Sequence, residues 1–369
     1  MREPTQEGPR TVGLKPVLAV AALAAGWACA VQAQSLSDDV ATTRLETGAL
    51  GLTAIVMVDR EVRAAAADAV RTAGGDTPVT ETDRWHLGSI TKPMTATLVA
   101  RLAEKGVVSW DDTVAGVLRD AVPDMRAAYR GATFRHLLSH RAGLQASIPP
   151  EHFVRFEQLP PDPIADRLAW ARIALSQEPS GPLAMGSQYS NSGYVAAAAM
   201  LEARTGKPWE ELIRAEVFAP LGLESAGFGP PGTAGADDAP RGHRRVASAP
   251  RAVAPEVDNP AALSPAARAQ MTLEDLARFV DVHRCRDRAY LNAQSFETVH
   301  TPPFGGVYAM GWVQEPDGML WHNGSNSLWY AEVTFAPETG AVAANDGDMA
   351  AVGAPASRLL RRLMQIGGG

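Results

Sequence analysis

The sequence predicts an α+β fold in which a sheet domain is interrupted by a helical insertion. Strand-like runs lie near both ends of the chain, at 51–60 and 319–344, while helical patterns dominate from 110 to about 225. The 369 residues are 46% hydrophobic and 20% charged, a globular composition with ample length for a buried core. The chain shows no internal repeat.

The N-terminal segment has the pattern of an export signal. Residues 16–37 carry no charge and follow Arg10 and Lys15. This apolar stretch ends in small residues at Val31 and Ala33, which predicts a secretory signal peptide over residues 1–33. A transmembrane anchor is the alternative, because roughly 20 apolar residues can cross a bilayer. We therefore expect a periplasmic or secreted protein, with membrane contact only if the segment is retained.

The remaining elements follow from periodicity. The run at 51–60 predicts a strand and turn with a second strand after it, and apolar residues at four-residue spacing indicate a helix over 91–105. Further patterns predict helices at 194–204 and 209–218, a long surface loop at 229–265, a helix from Thr272 through Phe279, strands at 319–322, 328–335 and 341–344, and a closing helix at 354–366. We assign residues 34–105 and 268–369 to the sheet domain and residues 106–267 to the helical insertion domain.

Charge and motif content exclude several functions. The 41 acidic and 34 basic residues give a net charge of −7, whereas a nucleic-acid binder needs a basic face to neutralise phosphates. Two cysteines cannot build a thiolate zinc site or a disulfide framework. Neither a phosphate-cradling G-x-x-x-x-G-K-[ST] loop nor a G-x-S-x-G elbow occurs. We expect a small-molecule substrate, no nucleic-acid partner, no metal and no cofactor.

One serine and one lysine have a spacing that suits nucleophilic catalysis. Only four of the 34 basic residues are lysines, yet Lys92 stands three residues after Ser89, which on a helix places both side chains on one face. A weak serine nucleophile needs a neighbouring base, and a desolvated lysine can give up its proton whereas arginine cannot. S-x-x-K alone is a weak pattern, because a helix-capping serine followed by a solvated lysine produces it too.

Four motifs in order make the signal more specific. The segment 85–96 around Ser89 resembles the nucleophile segment of the serine β-lactamase and penicillin-binding superfamily, most closely its class C β-lactamase-like branch of D,D-carboxypeptidases, D-aminopeptidases and esterases. Residues 134–144 are similar to a structural signature of that branch, Tyr189-Ser190-Asn191 matches its Y-x-N element, and His322-Asn323-Gly324 stands where it has K-T-G or H-x-G. The resemblance covers residues 45–365. It implies a β-lactamase/transpeptidase-like fold, with an antiparallel sheet flanked by helices and an inserted all-helical domain.

The resemblance also implies roles for individual residues. Ser89 would be acylated, while Lys92 and Tyr189 would take its proton and then protonate the leaving group. A phenol of ordinary pKa near 10 needs nearby positive charge to act as a base, which Lys92 could supply. Asn191 would hold the lysine and a substrate amide, and His322 would orient the tyrosine or the substrate. The amides of Ser89 and Ser325 would form the oxyanion hole, and the implied substrate-binding set is Asn191, His322, Asn323, Gly324 and Ser325.

The third motif departs from the common pattern. Asn323 replaces a threonine that helps to hold a substrate carboxylate in relatives, and His322 replaces a lysine; both changes point away from an efficient β-lactamase. We predict an exported serine hydrolase acting on an ester, an amide or a D-amino-acid peptide. The alternatives are a penicillin-binding or sensor module that acylates without turnover and a non-catalytic scaffold. His136 and His140, four apart on the expected helix, are also compatible with a pair of metal ligands.

Overall fold

The computed structural model describes residue 1 and residues 35–156, 162–247, 249–335 and 338–366. All but the first residue of the expected signal segment 1–33 therefore lies outside the described residues. Within the described ranges, no helix combines the length and apolarity needed to cross a bilayer. The elements in chain order are α1 (35–47), β1 (Gly51–Val58), β2 (Glu61–Ala69), β3 (Arg84–His86), α2 (Thr91–Glu104), α3 (Val114–Leu118), α4 (Phe134–Leu138), α5 (Pro163–Ser176), α6 (Asn191–Thr205), α7 (Trp209–Ile213), β4 (Gly227–Phe228), β5 (His243–Val246), β6 (Ala249–Ala252), α8 (Ser264–Ala267), β7 (Ala269–Thr272), α9 (Leu273–Cys285), α10 (Ala293–His300), β8 (Val313–Gln314), β9 (Leu320–Ser325), β10 (Tyr330–Phe335), β11 (Thr339–Ala344) and α11 (Met349–Ile366).

A six-stranded sheet forms the base of the molecule. Its strand order is β2-β1-β11-β10-β9-β8, and every neighbouring pair is antiparallel. Helices α1 and α11 bury apolar residues against one face, while α9 packs on β1 and β11 from the other. The predicted α+β fold, with an antiparallel sheet flanked by helices, is confirmed.

The helical region between the two sheet segments packs around α2 and α6. Alanine-rich α6 is buried along most of its length, so its neighbours approach closely. Arg167 of α5, which is fully buried, ties α5 to α6 and α7 through Glu202 and Glu210. Such a buried charge is tolerated because both carboxylates satisfy its guanidinium. The helices predicted at 91–105, 194–204 and 209–218 are all present, the last one continuing as a π-helical turn.

The segment 106–267 is not entirely helical, and the loop predicted at 229–265 is more ordered than expected. Strand β4 pairs with β7 in a small sheet that also holds β3, while β5 and β6 form a separate hairpin. Short helix α8 closes the segment directly before β7. The hairpin carries mostly exposed residues, so it lacks the alternation of apolar and polar residues by which a strand is recognised.

Candidate active site

Ser89 lies at the start of a largely buried helix. A 3-10 turn, Gly88–Ile90, leads directly into α2, and eleven of the fourteen residues of α2 are buried. The Nζ of Lys92 lies 3.0 Å from the Oγ of Ser89. The helical spacing therefore brings the two side chains together as the sequence predicts.

Lys92 is enclosed by three oxygen atoms of different chemical kinds. Its Nζ donates to the Oδ1 of Asn191 at 2.7 Å and to the carbonyl oxygen of Ala266 at 3.0 Å, besides contacting Ser89. The amide and carbonyl oxygens can only accept, whereas a hydroxyl can also donate. A neutral lysine has two N–H groups for the two fixed acceptors and one lone pair left for the serine hydroxyl. Burial lowers the pKa of Lys92 well below its usual value, which favours this neutral form.

Tyr189 covers the lysine from the cleft side. Its ring lies 4.7 Å from the Nζ of Lys92, although 41% of the residue is exposed. Desolvation raises the pKa of Tyr189 to about 12, against the lowering effect of a hydrogen bond with Ser89. The shift is opposite to the one expected from a neighbouring cation, so the phenol keeps its proton near neutral pH. Tyr189 is therefore suited to donate a proton, and Lys92 to accept one.

The backbone of strand β9 packs directly against the backbone of residues 87–90 around Ser89, here called the nucleophile turn. A β-carbon on Gly324 would lie 2.1 Å from the carbonyl oxygen of Leu87 and 2.4 Å from the amide nitrogen of Ser89. On the opposite side, a β-carbon on Gly88 would lie 2.5 Å from the amide nitrogen of Ser325, and Gly88 itself has a φ of +51°. Only glycine allows this approach. It brings the backbone around Ser89 into contact with the backbone around Ser325, and the amides of these two residues are the expected oxyanion donors.

Both ring nitrogens of His322 have hydrogen-bond partners within the protein. Its Nε2 lies 2.9 Å from the hydroxyl of Tyr308, and its Nδ1 bonds the carbonyl oxygen of Asn323. Burial lowers the pKa of His322 to about 3, so the ring is neutral. The sequence predicts that His322 orients the tyrosine or the substrate, and in the structure its Nε2 pairs with Tyr308. Tyr308 lies between elements without any motif, and sequence reasoning missed it.

The side chains of Asn323 and Ser325 lie on the face of β9 away from Ser89, whereas the family resemblance implies that Asn323 binds substrate. In the register of β9 with β10, Asn323 lies opposite Glu332 and Ser325 opposite Tyr330. Directly opposed residues share a face, and Tyr330 packs in the cluster beneath α11. Accordingly, the Nδ2 of Asn323 is 3.4 Å from the Tyr330 hydroxyl, and the Oγ of Ser325 donates to the carbonyl oxygen of Gly347 at 3.1 Å.

A buried carboxylate behind the nucleophile turn was also missed. The Nε2 of His86 lies 3.0 Å from Asp258, while Nδ1 of the same ring accepts the amide hydrogen of Gly88 at 3.2 Å. Arg268 and Asn326 donate to Asp258 at 2.9 and 2.8 Å. Burial acts to raise the pKa of Asp258, but these neighbours outweigh it and hold it at about 2. Asp258 thereby links the turn before Ser89 to the residue after Ser325.

His136 and His140 do not share a helix face. His136 lies in α4 and caps it through Thr133, whereas His140 lies beyond the helix end with a φ of +61°. His140 packs against Tyr189 instead. Across the described residues, no group of three or more His, Cys, Asp and Glu side chains is arranged to hold a metal ion.

Comparison with known proteins identifies the family. The sequence model of the Beta-lactamase family matches residues 30–345. The chain therefore belongs to this family, as predicted. It is 30% identical over 152 residues to penicillin-binding protein 4* of Bacillus subtilis, covering 40% of this chain and 31% of that protein. The chain spans less than half the length of the curated relatives that it matches.

Solved structures show the same fold. EstCE1, a hydrolase with promiscuous acyltransferase activity, superposes with a TM-score of 0.72 at 19% identity, over 88% of this chain and 95% of EstCE1. D-amino acid amidase from Ochrobactrum anthropi SV3, in complex with L-phenylalanine, gives a TM-score of 0.72 at 19% identity, over 90% and 99% of the two chains. At these identities the likeness concerns the fold.

Proposed function

We propose that this protein is a serine hydrolase that works through an acyl-enzyme on Ser89. The observation that carries the proposal is the environment of Lys92, whose Nζ has two contacts that can only accept and one to the nucleophile. As the Ser89 oxygen attacks the substrate carbonyl, its proton passes to the lone pair of Lys92. The negative charge on the carbonyl oxygen is then stabilised by the amides of Ser89 and Ser325.

Tyr189 completes the first half of the reaction. Its phenol is protonated near neutral pH and touches Ser89, so it donates its proton to the leaving group as the bond to the carbonyl carbon breaks. The ammonium of Lys92 returns a proton to the phenolate, which leaves the lysine neutral and Ser89 acylated. Water then hydrolyses the acyl-enzyme by the same steps in reverse.

The substrate that we propose is an ester or amide without a carboxylate beside the scissile bond. Relatives with K-T-G use this strand to hold such a carboxylate, whereas here both ring nitrogens of His322 are engaged and Asn323 faces the other side of the sheet. EstCE1 and the amino acid amidase, which share the fold, have names that agree with ester and amide substrates. A D,D-carboxypeptidase or an efficient β-lactamase is correspondingly less favoured.

Export is part of the proposal. The uncharged run at 16–37, which follows two basic residues and ends in small ones, supports cleavage after about residue 33 and delivery to the periplasm or the medium. N-terminal sequencing of the protein recovered from cell fractions tests this. A protein that stays in the cytoplasm with residues 1–33 intact would contradict it.

The decisive experiment compares wild type with Ser89→Ala and with Ser187→Ala, an exposed serine in the loop before Tyr189. Each is incubated with p-nitrophenyl acetate, with D-phenylalanine amide, with a fluorescent penicillin and with a fluorophosphonate probe. We expect ester or amide turnover and phosphonate labelling that disappear only in Ser89→Ala. A penicillin label that persists without turnover of any substrate would support a binding or sensor module instead. Failure of the phosphonate to label folded wild type would refute the hydrolase.

A further inference from the structure

His140 contacts the segment 188–190, which carries Tyr189, at three points. The carbonyl oxygen of His140 accepts the amide hydrogen of Gln188 at 3.0 Å, and its Nδ1 accepts the amide hydrogen of Ser190 at 3.1 Å. Between these two bonds, its ring lies against the ring of Tyr189 with centroids 4.3 Å apart. One residue therefore fixes the backbone on both sides of Tyr189 and the plane of its ring.

The backbone conformation of His140 is uncommon. Its φ of +61° lies in the left-handed region, which few residues other than glycine adopt, although Asn, Asp and His are enriched there. The residue is 3% exposed, so the surrounding structure imposes this conformation. Strained, buried backbone of this kind concentrates where a side chain must be aimed accurately.

The hydrogen bonding determines which ring nitrogen carries the proton. Because Nδ1 accepts from Ser190, the hydrogen of the neutral ring lies on Nε2, which is buried and has no hydrogen-bond acceptor among the described residues. A polar group left in this state is uncommon in native proteins. The contacts of the ring with the segment that carries Tyr189 are therefore made through Nδ1 and the ring face.

The groups around the ring keep it neutral. The rings of Tyr189, Tyr194 and Tyr308 surround it at centroid distances of 4.3, 5.6 and 4.4 Å. Burial lowers the pKa of His140 well below its usual value. Protonation would place a hydrogen on Nδ1 and break the bond from Ser190.

We propose that His140 is a positioning residue, whose Nδ1 acceptor and ring hold the Tyr189 phenol in line to protonate the leaving group. The inference rests on the proposed function, because it assigns Tyr189 the role of proton donor.

Two variants of similar side-chain volume separate the effect of the hydrogen-bond acceptor at Nδ1 from the effect of side-chain volume. In His140→Asn the side-chain oxygen replaces Nδ1, and asparagine tolerates the left-handed backbone; His140→Leu has the same shape but no acceptor. We expect the asparagine variant to keep kcat within about 5-fold of wild type and the leucine variant to lose about 10²-fold, the scale of one proton transfer, with KM nearly unchanged. Urea unfolding of each variant verifies that it is folded.

The leaving group distinguishes a positioning role from a general structural one. Ethyl acetate needs protonation of its leaving group, whereas p-nitrophenyl acetate does not, so the leucine variant should lose much more activity on the ethyl ester. In a Tyr189→Phe background, His140→Leu should cost no more than about 2-fold further, because coupled residues are not additive. Equal losses on both esters, or losses that multiply in the double variant, would overturn the proposal.

The remaining outcomes test either the positioning role of His140 or the proposed function itself. If the leucine variant does not fold, a folded asparagine variant as slow as Tyr189→Phe overturns the positioning role. An active wild type together with an equally active leucine variant refutes the positioning role alone. A wild type that neither hydrolyses the esters nor reacts with the fluorophosphonate refutes the proposed function, and the role of His140 with it.

Discussion

Replacing Gly324 by alanine tests the oxyanion hole directly. The added β-carbon would lie 2.1 Å from the carbonyl oxygen of Leu87, whereas real β-carbons do not approach closer than 3.0 Å, so β9 and the nucleophile turn must separate by at least about 0.9 Å. A shift of this size stretches a hydrogen bond of about 2.9 Å beyond its useful range. Loss of one oxyanion donor costs about 3–4 kcal/mol, which is about 10²–10³-fold in kcat.

The assay is steady-state ester hydrolysis together with the rate of fluorophosphonate labelling at Ser89. We expect kcat and the labelling rate to fall together in Gly324→Ala while KM changes little, because the lost interaction forms in the transition state. Gly353→Ala in α11 is the matched control, since its β-carbon would meet nothing closer than the Tyr330 hydroxyl at 3.6 Å. A folded Gly324→Ala variant that retains kcat within about 3-fold of wild type would show that this contact does not build the oxyanion hole.

Three further predictions concern buried charges. Lys92→Arg keeps a cation that cannot deprotonate, so kcat should fall by about 10²–10⁴ while Lys105→Arg at the exposed helix end stays active; an active Lys92→Arg enzyme would exclude lysine as the base. Asp258→Ala removes the buried carboxylate that pairs with the largely buried Arg268 and with His86, and should lower the free energy of unfolding in urea by about 3–5 kcal/mol, with a loss under about 1 kcal/mol contradicting this. Burial lowers the pKa of His283 to about 3, below its unfolded value near 6.5. The unfolded chain therefore binds the proton first as pH falls, and from pH 7 to 5 wild type should lose about 2 kcal/mol more stability than His283→Phe; identical pH dependence would refute the burial argument.

Parts of the site with a local cause were predictable from the sequence. Ser89 and Lys92 meet because three residues of helix separate them, and this spacing does not depend on the rest of the chain. The ordered motifs around Ser89, Tyr189 and His322 indicated the Beta-lactamase family. The strands near both ends of the chain are almost entirely buried. Their sequences are therefore short apolar runs, which could be recognised. These features together determined the fold class.

The surroundings of the reacting atoms depend on contacts between distant segments. Lys92 takes its two fixed acceptors from residues 99 and 174 positions away, and Asp258 is 172 positions from His86. No spacing rule connects such residues. The raised pKa of Tyr189 likewise follows from desolvation by the folded protein, whereas the sequence shows only that a lysine is near.

The sequence by itself indicated the family and the pairing of Ser89 with Lys92, because these follow from ordered motifs and local spacing. The tertiary structure alone decided which face of β9 meets the nucleophile. Side chains alternate along a strand, so a register shift of one residue relative to β10 would exchange His322 and Asn323. That register turns Asn323 toward α11 and His322 toward Tyr308. The proposed substrate class depends on this choice of face, which pairing between strands and packing on both sides of the sheet determine.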